Sequence, residues 1–294
     1  MNKNKFIPDS ELIINDDGSI FHLHLKPEQL RDNIIVCGDP ARVTMIASYF
    51  DHKDYDVQSR EFHAIGGTHN GKPIMALSHG IGPDNIDIVM TELDALANVN
   101  FKTRMPKSKH RTLNIVRIGT SGGMQPFVPV GTSVIAARSL GFDGVLNYYA
   151  DRNKVSDLEF EKAFCDFVKW NPLFAKPYVV PSNQELIDKI NRDDMVLGCT
   201  ISAVGFYGPQ GREVRLELAE PELNHRIEAF EYNGVKITNY EMESAALQGM
   251  ALMLGHRAMT VCSIIANRVA TKANPNYKTA VNDLIKTVIQ RLTE

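Results

Sequence analysis

Four segments of this sequence carry residue types that could do chemistry together. In Cys37-Gly38-Asp39-Pro40-Ala41-Arg42 an apolar run stops at a glycine. Asp39 can cap the helix that follows and Pro40 suits its first turn. A helix N-terminus opened by glycine favours an anion, and Arg42 lies one turn in, within reach of it. In Asn114-Ile115-Val116-Arg117-Ile118-Gly119-Thr120-Ser121-Gly122-Gly123 an arginine interrupts a strand that otherwise reads as buried. An unpaired buried guanidinium is costly, so Arg117 must meet a carboxylate or a bound anion. The Gly-Thr-Ser-Gly-Gly run beside it offers hydroxyls and closely approachable N–H groups. In Asn239-Tyr240-Glu241-Met242-Glu243-Ser244 two carboxylates flank a methionine at a strand-to-helix junction. A carboxylate accepts two hydrogen bonds and can clamp a vicinal diol, while methionine gives a soft apolar floor. Gly205-Phe206-Tyr207-Gly208-Pro209-Gln210-Gly211-Arg212 joins an aromatic ring, an amide and a guanidinium in one loop. There Phe206 could stack on a flat ring, Gln210 could read its edge, and Arg212 could hold a carbonyl or a developing negative charge. Each segment also has a plain structural reading: a turn, a buried ion pair, a helix cap or a surface loop.

These residues need a scaffold, and the hydropathy pattern supplies an alternation of strands and helices. Strands are expected at Ile34–Cys37, Ile74–Ser78, Asn114–Ile118, Thr132–Ala137, Met195–Val204, Val235–Thr238 and Arg257–Ile265. Helices are expected at Ala41–Phe50, Asp84–Ala97, Leu158–Lys169, Glu241–Leu254 and Asn276–Leu292. Such alternation argues for an α/β sheet covered on both faces. No Pro/Gly/Ser-rich linker divides the 294 residues, so a single domain is expected over residues 21–294, preceded by an arm at 1–20 that packs late or loosely. The basic stretch Asn100–Arg111 and the segment Asp151–Val155 read as surface loops, the first as a solvated face.

Composition narrows the function. With 44% hydrophobic and 23% charged residues the chain can bury a sizeable core. A net charge of -3 provides no basic field for a nucleic acid, and no run is long enough for a membrane span. The four cysteines show no C-x-x-C pair; three sit in apolar runs and read as structural thiols of a reducing compartment. The first residues carry no signal-peptide core, and a cytoplasmic protein is expected. Among the histidines only His22-x-His24 approaches a ligand spacing, so no metal is expected.

Taken in order from Phe21 to Arg268, the segments resemble the nucleoside phosphorylase family, most closely its uridine-directed members. The resemblance is carried by Phe21-His22-Leu23, Gly38 to Val43, Ser59-Arg60-Glu61-Phe62, Ser78-His79-Gly80-Ile81-Gly82, Arg117 to Gly122, Phe206 to Arg212, Glu241-Met242-Glu243-Ser244 and Asn267-Arg268. It implies a single α/β domain around a mixed, barrel-like central sheet flanked by helices, with assemblies built from dimers. It implies phosphorolysis: phosphate attacks C1′ of a ribonucleoside with inversion, giving free base and ribose 1-phosphate. Gly38, Arg42, Arg117 and Thr120 would hold phosphate, with Arg60 arriving across a subunit interface. Met242 and Glu243 would hold the ribose, with Glu241 nearby and His22 reaching across the interface toward the 5′-hydroxyl. Phe206, Gln210, Arg212 and Arg268 would bind the base. Arg117, Glu243, Gln210 and Arg212 would carry the reaction.

Base preference rests on one segment. Purine-directed relatives place an aspartate after the strand that follows the ribose helix, whereas Val261-Cys262-Ser263-Ile264-Ile265-Ala266-Asn267-Arg268 holds no carboxylate. With the Gln210/Arg212 loop, this points to uridine, with deoxyuridine and thymidine as further candidates. Inorganic phosphate is the expected co-substrate, with no cofactor. Some relatives bind a monovalent cation through a glutamate and a serine; Glu61 is present here but Asn85 replaces the serine, which argues against that site. The competing readings are a purine nucleoside phosphorylase, a hydrolytic nucleosidase and a non-catalytic nucleoside-binding protein of the same fold.

Overall fold

A computed structural model describes residues 5–267, 272–273 and 277–294. Among them the chain runs β1 (Asn33–Cys37), α1 (Pro40–Ala47), β2 (His52–Ser59), β3 (Phe62–His69), β4 (Lys72–Ser78), α2 (Pro83–Asn98), β5 (Val99–Asn100) and β6 (Met105–Pro106). It continues through β7 (Asn114–Gly123), β8 (Ser133–Gly141), α3 (Leu158–Val168), β9 (Tyr178–Pro181), α4 (Gln184–Ile190), β10 (Val196–Ser202), α5 (Leu223–Ala229) and β11 (Glu231–Tyr232). It ends with β12 (Val235–Glu241), α6 (Ser244–Leu254), β13 (Arg257–Asn267), β14 (Lys272–Ala273) and α7 (Tyr277–Leu292).

Five strands, β7, β13, β8, β10 and β12, form a ring, because β12 returns to pair with β7. The ring is mixed: β13 runs parallel to β7 and antiparallel to β8, and β12 runs parallel to β10 and antiparallel to β7. From β7 the sheet opens outward through β1, β4, β3 and β2. This is the mixed barrel-like α/β sheet expected from the resemblance.

Strand β7 changes partners along its length. Asn33 to Val36 of β1 pair with Asn114 to Arg117, whereas Gly122 and Gly123 pair with Tyr240 and Asn239 of β12. The strand thus continues through Gly-Thr-Ser-Gly-Gly, beyond the Asn114–Ile118 expected from the sequence. Small residues let it bend from the open sheet into the ring without steric cost. A crevice at such a change of neighbours, at the C-terminal ends of parallel strands, is where open α/β sheets take their ligands.

Alternation in the central strands sorts the core onto both faces. Ile34 and Val36 of β1 pack with α2 and α6, while Ile35 and Cys37 pack with α1, α4 and α7. That two-sided burial makes β1 a continuous apolar run in the sequence. The strands β2 and β3, β9, and the helices α4 and α5 went unread, because their patterns are short or interrupted by polar residues.

Two further expectations change. Glu241 ends a strand and the helix begins at Ser244, so Glu241–Leu254 is not one helix. The basic stretch Asn100–Arg111 is not a freely solvated face. Lys107 Nζ donates to the carbonyls of Leu96 and Ala97 at the end of α2, and Arg104 Nε donates to Ile7 O at 2.7 Å. Cations at the C-terminal turn of a helix satisfy carbonyls that have no intrahelical partner. In the N-terminal segment Leu12 and Ile20 are buried in the main core, and Ile14 bridges to Ile20.

Candidate active site

The capping expected at α1 is present: the Asp39 carboxylate accepts from Ala41 N–H at 2.9 Å, with Pro40 in the first turn. This sets Gly38 and Arg42 at one wall of a cavity of about 790 Å³. Gly38 cannot carry a side chain without crowding, since a Cβ there would lie 3.0 Å from Gly80 O. Arg42 Nη1 donates to Ile118 O at 3.3 Å, which turns the guanidinium toward the end of β7.

Arg117 is 5% exposed and faces the same cavity. Its Nε donates to His79 Nε2 at 3.1 Å, one terminal nitrogen pairs with Glu241 at 2.9 Å, and the other pairs with Glu243. Burial by itself would weaken its hold on its proton, but Glu243 and Glu241 more than offset that and the pKa is raised. His79 is driven the other way, well below its ordinary value, by burial and then by Arg117. A neutral imidazole accepting at Nε2 is the form that fits this contact. Burial also raises the pKa of Glu243, against the pull of Arg117. The costly buried arginine read from the sequence has therefore met two carboxylates.

Those two carboxylates differ. Glu241 accepts from the backbone N–H of Glu243 at 2.8 Å and of Ser244, from Ser202 Oγ at 2.5 Å and from Ser244 Oγ. It caps α6 from the preceding strand. Glu243 accepts from Gly82 N–H at 2.9 Å and from Arg117, and lines the cavity beside Met242. Thr120 also lines it, as do Ser121, Glu61 and Asn85.

Phe206, Gln210 and Arg212 line the same cavity from the loop that follows β10. A short 3₁₀ turn at Gly208–Gln210 carries the amide inward, and Gln210 is buried. Arg212 Nη1 donates to Gln210 Oε1 at 2.7 Å and to Phe206 O at 2.5 Å, and its guanidinium lies 3.9 Å from the Phe206 ring centroid. Phe206 itself is 51% exposed.

Of the residues singled out in the sequence, Gly38, Arg42, Arg117, Thr120, Glu241, Met242, Glu243, Phe206, Gln210 and Arg212 line this one cavity. His22 and Arg60 do not. His22 is held by Glu92, Nδ1 to Oε1 at 2.6 Å, and stands against Phe21 and Phe62; Arg60 lies over the Phe21 ring. Arg268 lies outside the described residues. Sequence reasoning gave no role to His79, Ser202 or Tyr240. A histidine closing an apolar strand before two glycines was the only available signal for the first.

Spacing also missed a cluster between α2 and the end of α6, where Asp94, His110 and His256 bring ligand atoms within 4.8 Å of one another. His256 Nδ1 accepts from Leu113 N–H at 3.2 Å, which leaves the proton on Nε2, donated to Asp94 at 3.1 Å. A metal-bound histidine ordinarily donates its second nitrogen outward, so this arrangement suits a hydrogen-bonded tie better than a cation.

Comparison with known proteins agrees with the geometry. The family model of the phosphorylase superfamily matches residues 32–294. The uridine phosphorylase of Haemophilus influenzae is 31% identical, covering 88% of this chain and 90% of its own. The uridine phosphorylase of Escherichia coli is 30% identical over the same shares. A Trypanosoma brucei nucleoside phosphorylase described as showing uridine phosphorylase activity superposes with a TM-score of 0.86 at 27% identity, covering 96% of this chain and 99% of that one. With a matching family model over nearly the whole chain and a ring of strands that gathers the motifs around one cavity, this protein belongs to the phosphorylase superfamily.

Proposed function

We propose that this chain cleaves uridine by phosphorolysis, giving uracil and ribose 1-phosphate. The observation that carries the reading is one cavity lined together by Arg42, Arg117 and Thr120, by Met242 and Glu243, and by Phe206, Gln210 and Arg212. Relatives at about 30% identity bear the name uridine phosphorylase, which supports the base assignment. So does the end of β13, where the apolar Ile265 and Ala266 line the cavity.

In this reading phosphate enters between Gly38, Arg42, Arg117 and Thr120 and is aimed at C1′ from the face opposite the base. Glu243 accepts from the ribose hydroxyls and Met242 supports the ring. As the glycosidic bond lengthens, negative charge grows on the uracil oxygens, and Gln210 and Arg212 stabilise it where it develops. No step needs a metal or an organic cofactor; phosphate is the co-substrate.

His22 and Arg60 lie outside the cavity of their own chain, beside Phe21, and are proposed to serve the ribose and phosphate of a neighbouring copy in a dimer or an assembly of dimers. Arg268 is proposed on the base side. Residues 1–20 are proposed as an N-terminal extension of the 21–294 domain, with Leu12 and Ile20 packed into its core. The protein works in the cytoplasm on small molecules.

The test is to incubate the protein with uridine, thymidine and inosine, each with and without phosphate, and to follow base release. Phosphate-dependent release of uracil is expected. Release without phosphate would make the protein a hydrolase, and release of hypoxanthine alone would make it purine-directed.

A further inference from the structure

The loop that meets the base is tied to the strand that leads into the ribose segment by one side chain. Asn224, in α5, donates from Nδ2 to Gln210 O at 3.0 Å, and its Oδ1 accepts from the Tyr240 hydroxyl at 3.1 Å. Tyr240 is buried in β12, immediately before Glu241, Met242 and Glu243. Gly211 is shaped around the same amide. It sits at φ +70°, and a Cβ there would fall onto Asn224 Nδ2.

The helix that presents Asn224 is itself fixed. Arg226 Nε donates to Val168 O at 2.7 Å, Gln125 Nε2 donates to Glu228 O at 3.0 Å, and Ile227 is buried in the core below. By contrast Phe206 and Tyr207, on the loop, are more than half exposed. A loop with little burial of its own takes its position from the few bonds it makes to rigid elements.

We propose that Asn224 is a positioning residue that sets the spacing between the base-reading groups Gln210 and Arg212 and the ribose-holding groups Met242 and Glu243. The inference rests on the uridine phosphorylase reading of the cavity. Asn224 does not line that cavity and acts through Gln210. Correct spacing matters because base and sugar are held on opposite sides of the bond that breaks, and small misplacements of positioned groups are expensive.

The experiment compares wild type with Asn224→Ala, Asn224→Asp and the pair Gly211→Ala and Gly211→Ala/Asn224→Ala. Steady-state constants for uridine and for phosphate are read separately, with amide hydrogen exchange over 205–212. For Asn224→Ala we expect KM for uridine to rise about tenfold, as for a lost hydrogen bond of ordinary strength, with KM for phosphate and the melting temperature nearly unchanged. Exchange at 210–212 should quicken. Asn224→Asp keeps the acceptor for Tyr240 but sets an acceptor against Gln210 O, so it should be no better than Asn224→Ala. Gly211→Ala should lose less in the Asn224→Ala background than alone, because the clash has gone. An unchanged KM for uridine, an equal rise in both KM values, or additive effects in the double variant would overturn the proposal. If wild type turns over inosine and not uridine, the substrate reading fails while the same variants measured with inosine still decide the role of Asn224. The exchange measurement needs no substrate at all.

Discussion

The two ends of the cavity are made of different material. At the Arg117 end the charged groups Arg117, Glu241 and Glu243 stand on ring strands or at their exit, are buried, and are held from several directions: Arg117 by His79, Glu241 and Glu243, and Glu241 by two hydroxyls and two N–H groups. At the Gln210 end the groups stand on a loop whose Phe206 and Tyr207 are 51% and 60% exposed, and whose Arg212 is satisfied mainly by its own loop neighbours. The Arg117 end is the more rigidly held of the two; on the proposed reading, the Gln210 end is the cheaper one to reshape, so base preference could drift while the phosphate chemistry stays constant.

That contrast breaks first at Arg117. Arg117→Ala should lower kcat/KM for phosphorolysis by at least about 10²-fold, as for loss of a preorganised charge-stabilising group. It should also cost about 3–5 kcal/mol of stability, because two buried carboxylates lose their counter-charge. Kinetics together with urea denaturation check both, and near-normal turnover would remove Arg117 from the mechanism. Arg212→Ala should divide the two ends cleanly: KM for uridine rises about tenfold or more, while stability stays within about 0.5 kcal/mol, as expected of a loop position away from the core. A large fall in stability there would mean the loop is as built-in as the ring.

Next comes pH. His79 has a folded pKa below its unfolded value, so the unfolded chain binds the extra proton. Its neutral form contributes stability that is full above the unfolded pKa of about 6.5 and is lost as pH falls from there toward the folded value. The slope from this one group approaches about 1.4 kcal/mol per pH unit below 6.5. Melting curves from pH 7.5 to 5 should show it in wild type and a flatter course in His79→Gln. The smallest effect is expected from Phe206→Ala, about 0.5–1.5 kcal/mol of base affinity from a lost stacking face, read as a several-fold change in KM for uridine. No change would mean Phe206 stays engaged with Arg212 when the base is bound.

Much of this was legible in the sequence because burial and charge conflict visibly there. An arginine inside Ile115-Val116-Arg117-Ile118 has few explanations, and Gly-Asp-Pro after an apolar strand announces the cap that Asp39 provides. The order of the motifs then gave the fold. What could not be read depends on contacts far apart in sequence. Nothing near Asn224 announces Tyr240 or Gln210, and Glu241 looks like the first turn of a helix until Ser202 is seen to bond it. The hairpin of β2 and β3 was missed because His52–Ser59 is largely exposed and polar, with its order supplied by pairing to β3.

Among the described residues the ring closes through the pairs Asn239 with Gly123 and Tyr240 with Gly122, extended by Met124 N–H donating to Thr238 O at 2.8 Å. These pairs join segments distant in the chain, as do the β7–β13 pairs, so closing the ring is a non-local step that carries a loop-closure cost. The ion pair between Arg117 of β7 and Glu241 at the end of β12 spans the same two strands. A chain with that seam open would lack the buried pairing of Arg117 with Glu241, so the charge arrangement at the cavity exists only in the closed ring.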